Sequence, residues 1–218
     1  MISHFQLITQ DLKKFSHIEQ VRMACENGAK WIQLRAKNKN YNDWIKIASE
    51  SIRICREYGA KLIINDSVQV ALEIDADGVL LGRDDMPIHS ARALLGENKI
   101  IGGTGNSHED LLRIAKEGAD YAVMGPYKFT PTKMNFKSLL GINSYSKLIH
   151  FAKENEIDIP IIAIGGIKLK DVDELFSLGV HGIAVSSAVF SANDPAKALK
   201  SLMEKVGEKV PSMSTSVV

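Results

Sequence analysis

Two kinds of segment alternate along the chain. Short apolar runs bounded by Gly, Pro or Asn read as strands, and longer stretches with apolar positions every three or four residues read as helices. The strand candidates are Phe5–Thr9, Trp31–Lys37, Lys61–Asn65, Gly78–Leu81, Ile100–Gly103, Tyr121–Met124, Pro160–Ile164 and Gly182–Ser186. Between and after them lie helix candidates at Ile18–Asn27, Asn42–Tyr58, Val68–Ile74, His89–Leu95, His108–Glu117, Ser144–Glu154, Leu169–Leu178 and Ala196–Val206. The second helix shows the period plainly, with Trp44, Ile45, Ala48, Ile52 and Cys55 on one stripe and the stop residue Gly59 after it. Strands separated by helices need crossover connections and hence a parallel sheet, and eight such units close into a (β/α)₈ TIM barrel. The α/β alternative is a doubly wound open sheet, but Gly102, Gly103 and Gly105 lack the spacing of a dinucleotide fingerprint. The pattern predicts one domain over residues 1–210; residues 211–218 have no periodicity and read as a frayed tail.

Composition narrows the possibilities. The 218 residues lie near the lower end for such barrels, and 45% hydrophobic with 24% charged residues is ordinary globular usage. Lys+Arg 27 against Asp+Glu 26 gives a formal charge of +1, so no overall field draws the chain to nucleic acid or to an anionic membrane. Any anion site must be local. Cys25 and Cys55 have no metal-ligand or redox spacing and read as buried free thiols. With no signal-like N-terminus and no spanning apolar run, the expected location is the cytoplasm.

A barrel places its chemistry at the C-terminal ends of its strands, and the polar residues cluster there. Strand two carries Gln33, Arg35 and Lys37 at alternate positions, hence on one face; inside a closed barrel that face needs a ligand. Strand three ends in Asn65-Asp66-Ser67, strand four in Gly82-Arg83-Asp84-Asp85 and strand five in Gly103-Thr104-Gly105-Asn106. Asp66 and Asp85 each precede helical sequence and read as N-caps, or as two carboxylates holding Mg²⁺ beside a phosphorylated substrate. A pyrophosphate gathered by Arg35, Lys37 and Lys133 would repel them without a cation between, which favours the metal. Strand six runs into Gly-Pro-Tyr-Lys-Phe-Thr-Pro-Thr-Lys at 125–133, where Lys128, Thr130, Thr132 and Lys133 offer donors to an anion; the same composition also suits a solvated connection. Gly165-Gly166 and Ser186-Ser187 end strands seven and eight, where barrels commonly bind phosphate. The six histidines form no metal pattern and are assigned to the surface or to capping.

Taken in order, Gln33-Leu-Arg-x-Lys37, Asn65-Asp66, Asp77-Gly-Val-x-Leu-Gly82 with Asp85, Gly125-Pro-x-x-x-Thr-x-Thr-Lys133, Ile162-x-Ala-Ile-Gly-Gly-Ile167 and Val185-x-Ser-Ala188 resemble the thiamine phosphate synthase family. That resemblance implies a transferase that joins hydroxymethylpyrimidine diphosphate to hydroxyethylthiazole phosphate and releases pyrophosphate with Mg²⁺ as cofactor. It implies Gln33 on the aminopyrimidine, and Arg35, Lys37, Asn65 and Lys133 on the diphosphate. Asp66 and Asp85 would be on the metal, Thr104 on a phosphate, and Thr130, Thr132, Gly166, Ser186 and Ser187 on the thiazole phosphate. The implied partners are small phosphorylated molecules, with neither nucleic acid nor membrane; a homo-oligomer is compatible with the sequence.

Leu80 stands where that family often has His, Ser67 where a charged residue is common, and Thr104 where Ser contacts phosphate. The related thiazole tautomerases lack the paired aspartates and use a His after strand five; here the corresponding residue is Asn106, and both Asp66 and Asp85 are present. A non-catalytic phosphate-binding barrel is the remaining alternative, and it has no need of the aspartate pair.

Overall fold

The computed structural model of the protein describes residues 1–37, 39–129 and 139–210. Eight strands, all parallel, pair in sequence order and close on themselves through β1 and β8. They are β1 (Phe5–Ile8), β2 (Trp31–Leu34), β3 (Lys61–Asn65), β4 (Gly78–Leu81), β5 (Ile100–Gly105), β6 (Tyr121–Met124), β7 (Ile161–Ile164) and β8 (Gly182–Val185). The surrounding helices are α1 (His17–Glu26), α2 (Tyr41–Glu57), α3 (Val68–Glu73), α4 (Ile88–Leu95), α5 (His108–Lys116), α6 (Gly141–Glu154), α7 (Val172–Ser177), α8 (Ser187–Phe190) and α9 (Pro195–Gly207), with a 3₁₀ turn, Leu169–Asp171, before α7. The barrel expected from the alternation is the observed fold.

Because successive strand residues point to opposite faces, each strand feeds two cores. Leu62, Ile64, Val79, Leu81, Ala122 and Met124 point outward into the layer shared with the helices. Trp31, Ile63, Leu80, Tyr121, Val123, Ile162 and Ala184 point inward and fill the barrel. Two adjacent glycines make this packing possible at β5. A Cβ on Gly102 would lie 2.3 Å from the Tyr121 ring inside, and one on Gly103 would lie 2.7 Å from Ile114 of α5 outside. Helix starts are fixed locally: Ser16 forms a capping box with Glu19, and Asn40, Ser67, Ser107 and Asp194 each accept a backbone N–H of their own first turn. Among the described residues no helix is long and apolar enough to cross a membrane.

Two strand readings need correction by more than one residue. β2 ends at Leu34 and does not reach Lys37, while β5 runs on to Gly105. Arg35 and Lys37 therefore stand on the loop above β2 rather than in the ladder. The helix expected over Leu169–Leu178 is the 3₁₀ turn followed by the short α7, and α8 was not expected at all: four residues are too few to show a period.

Candidate active site

The inward parity of each strand, carried two residues past its last apolar side chain, leads to one place. Trp31 is followed on the same face by Gln33, Ile63 by Asn65, Leu80 by Gly82, Gly102 by Thr104, and Ala184 by Ser186. All of these second residues line one cavity of about 820 Å³ at the C-terminal mouth of the barrel. Arg35, Lys37, Asp66, Asp85, Gly166 and Ser187 line it too. Of the expected site residues among the described ones, all but Lys128 are thus brought together; Thr130, Thr132 and Lys133 lie outside the described residues.

The cavity has an apolar floor, formed by Ile8, Leu80, Val123 and Ala184. Leu80 belongs to that floor, so its departure from His makes this position apolar. Just above, the Gln33 amide donates from Nε2 to Asn65 Oδ1 at 2.6 Å, and both residues are buried. Among the described residues Gln33 Oε1 has no partner. A buried acceptor left open in a cavity wall is a demand for a ligand donor.

On the β3–β4 side two carboxylates face one another. Asp66 sits in the left-handed backbone region at φ 68°, where Asp and Asn are the side chains best tolerated, with its N–H on Leu80 O at 2.9 Å. Asp85 is turned inward by the Gly82 N–H, which it accepts at 2.6 Å. Neither caps a helix. Ser67 caps α3, and α4 starts after Pro87. Burial first, and the facing Asp85 second, push the Asp66 carboxyl above the usual range, against the pull of Lys37 and Arg35. Lys37 Nζ lies 3.7 Å from Asp66 Oδ2, with both side chains partly exposed. Arg35 is half-buried, and that burial lowers its pKa while Asp66 and Asp11 draw it back. Among the described residues no group of three or more His, Cys, Asp or Glu is arranged to hold a metal ion; this edge offers two carboxylates only.

Among the described residues the opposite edge is uncharged. Gly165 and Gly166 adopt φ values of 98° and 66°, and a Cβ on Gly166 would lie 2.6 Å from the Phe129 carbonyl oxygen. Ser186 Oγ, at the end of β8, is buried and has no partner among the described residues. Replacing Gly166 by Ala combines a left-handed alanine, at about 1–2 kcal/mol, with that contact. Its midpoint in thermal unfolding should fall by about 3–6 °C, and an unchanged midpoint would show that the turn yields freely.

Two expectations fail here. Lys128 does not reach into the cavity; its Nζ is held 2.6 Å from the buried Asp171 and lies over the Tyr127 ring. Nor are all histidines superficial. His17 is buried and bonded to Thr9 and Asp11, and His4 stacks on His181 with ring centroids 4.2 Å apart. Arg83, placed by the sequence in the polar cluster after strand four but given no role there, also lines the cavity. It donates from Nε and Nη2 to Asp110 Oδ1 at 3.2 and 2.6 Å, and Asp110 is itself buried under the cavity rim. No spacing signal links residues 27 apart on different elements.

A family model described as thiamine monophosphate synthase matches residues 5–189. The thiamine-phosphate synthase of Bacteroides thetaiotaomicron is 40% identical over 198 residues, covering 91% of this chain and 95% of its own length. That of Flavobacterium johnsoniae is 39% identical over 206 residues, covering 94% and 97%. The solved thiamine phosphate pyrophosphorylase from Pyrococcus furiosus superposes with a TM-score of 0.82 at 37% identity, covering 94% of this chain and 96% of that one.

Proposed function

The chain belongs to the thiamine monophosphate synthase family, a family of transferases, and from that premise we propose that it condenses 4-amino-2-methyl-5-hydroxymethylpyrimidine diphosphate with hydroxyethylthiazole phosphate, giving thiamine phosphate and pyrophosphate. The observation that carries this reading is the asymmetric cavity: facing carboxylates and cations on one edge, an open buried amide oxygen at the floor, and hydroxyl and glycine backbone on the other edge.

The diphosphate goes to Arg35, Lys37 and Asn65, joined by Lys133. Gln33 Oε1 accepts from the amino group of the pyrimidine, whose ring lies on the apolar floor. Gly166, Ser186 and Ser187, with Thr130 and Thr132, take the thiazole phosphate, and Thr104 contacts phosphate from between the two. The donor set of Asp66 and Asp85 fits Mg²⁺, a hard cation that takes one or two protein carboxylates and completes its shell with water and substrate phosphate. When bound, the ion would shield the two carboxylates from the diphosphate and draw off its charge. The chain offers cations, amides and hydroxyls here, and no histidine lines the cavity among the described residues. That inventory suits a substitution in which the diphosphate leaves first and the thiazole nitrogen then captures the pyrimidine methylene cation; such a step asks for charge stabilisation and positioning, not for a general base. Leu80, at the floor, keeps water and competing nucleophiles from that cation.

Incubation with both substrates and Mg²⁺ should yield thiamine phosphate and pyrophosphate in equal amounts by chromatography, and excess chelator should stop turnover until Mg²⁺ is restored. Absence of thiamine phosphate under these conditions would overturn the assignment; turnover unaffected by chelator would remove the metal from it.

A further inference from the structure

Behind the cavity runs a hydrogen-bonded chain that ends on one of its cations. His17, at the start of α1, is buried, with Nδ1 2.8 Å from Thr9 Oγ1 and Nε2 3.1 Å from Asp11 Oδ1. Thr9 is fully buried just after β1, and the same Oγ1 accepts the backbone N–H of Arg35 at 3.1 Å. One neutral arrangement satisfies every group: Nε2–H of His17 donates to the Asp11 carboxylate, Nδ1 accepts the Thr9 hydroxyl hydrogen, and a lone pair of Oγ1 takes the Arg35 N–H. The other tautomer would set a bare ring nitrogen against the carboxylate. An Asp–His–Thr order resembles a nucleophilic relay, but Thr9 does not line the cavity and has no route to a substrate.

Loop support does not account for the histidine. Gln20, one turn along α1, already ties the β1–α1 loop through its backbone, donating to Gln10 O at 2.8 Å and Phe15 O at 2.7 Å and accepting from Gln10 N at 3.0 Å. His17 bonds instead to two side chains, Thr9 and Asp11. The charged groups around it are Asp11, Lys39, which lies 3.8 Å from that carboxylate, and Arg35. Burial outweighs the pull of Asp11 and holds the imidazole pKa below its usual value, so the ring stays in the neutral form that the chain requires.

We propose that Asp11, His17 and Thr9 form a positioning chain that fixes the backbone of Arg35 at the cavity edge and so presents its guanidinium to a diphosphate group. The proposal deepens the reading above and rests on it for the identity of that group. It accounts for a buried imidazole on a helix otherwise stapled by Gln20, and for a buried threonine shared between two loops.

The test measures binding of Mg²⁺–pyrophosphate by calorimetry, beside kcat/KM for the diphosphate substrate and the thermal midpoint. Thr9→Val keeps shape and removes the hydroxyl, while Thr9→Ser restores it; His17→Leu removes both ring contacts, while His17→Gln keeps one donor and one acceptor. Thr9→Val and His17→Leu should each weaken pyrophosphate binding about tenfold, the scale of one net hydrogen bond, with kcat/KM falling in proportion, and Thr9→Ser and His17→Gln should recover most of both. Wild-type affinity in Thr9→Val, or Thr9→Ser as weak as Thr9→Val, would overturn the proposal. Should Thr9→Val fail to fold, the His17 pair decides alone: equal binding by His17→Leu and His17→Gln would sink it. If the wild-type protein forms no thiamine phosphate yet the variants rank as stated for pyrophosphate, the enzyme assignment falls and the positioning chain stands.

Discussion

Asp66→Asn should lose at least about 10²-fold in condensation rate, the scale of removing one preorganised electrostatic contact, while the folded protein becomes slightly more stable at neutral pH. Both effects come from the same charge. Asn is the closest shape to Asp and is the other side chain that tolerates the left-handed backbone of residue 66, so the turn is preserved and only the negative charge goes. Without it, one of the two carboxylates that fit Mg²⁺ is missing. The stability term follows from linkage. The Asp66 carboxyl is raised above the unfolded value by burial and by Asp85, so the folded state favours the protonated form: its contribution is fully present below about pH 4, the ordinary aspartate range, and is lost as pH rises through the folded pKa. Ionised Asp66 therefore burdens the fold at neutral pH, and Asn relieves it. Because 38% of that side chain is exposed, screening keeps the gain below about 1 kcal/mol, or no more than a few degrees in the unfolding midpoint. Parallel melts at pH 7 and near pH 4 should show the difference between variant and wild type shrinking in acid. A variant that retains full activity, or that is more stable only in acid, would remove Asp66 from the role assigned to it.

How much of this arrangement was legible beforehand depended on which period each residue obeyed. β3, β4 and β6 match their expected bounds to the residue, because each is a short apolar run entered and left through polar or glycine positions. β5 continues through Thr104 and Gly105, where neither composition nor alternation marks a strand, and β2 was carried too far because Arg35 and Lys37 keep the alternation after the ladder has ended. That error did no harm to the site: the loop above β2 sends both residues into the cavity that the parity had indicated. Contacts between elements left no such trace. His17 is one of the scattered histidines assigned to the surface or to capping, and only the pairing of β2 beside β1 brings the Arg35 amide onto the Thr9 hydroxyl that His17 holds. The Arg83–Asp110 pair and the capture of Lys128 by Asp171 were hidden in the same way, since side-chain pairing across a barrel rim is set by closure rather than by local spacing.

Arg35→Met is expected to be the second severe lesion, and it should also alter the behaviour of a residue it does not replace. The substitution keeps the hydrophobic stem and removes the guanidinium fork, whose charge-assisted bonds to a phosphate contribute about 2 kcal/mol each; losing two of them corresponds to roughly 10³ in kcat/KM for the diphosphate substrate. Arg35→Lys should recover only part of this, because a single ammonium cannot make the paired contact. The fold itself should suffer little, since burial already opposes the charged guanidinium at this position and an unbranched apolar chain fits the same groove. Arg35 is, however, one of two cations that pull the Asp66 carboxyl down against burial and Asp85. With it gone, the Asp66 pKa rises further, a larger fraction of that carboxyl is protonated at any given acidic pH, and the acid limb of the residual activity moves to higher pH. The two effects are separable by experiment: substrate affinity reports the lost fork, and the pH at half-maximal rate reports the carboxylate. An acid limb that stays in place in Arg35→Met would mean that Asp66 does not take part in turnover as an ionised group, whereas a loss in kcat/KM of less than tenfold would mean that the diphosphate is held elsewhere in the cavity.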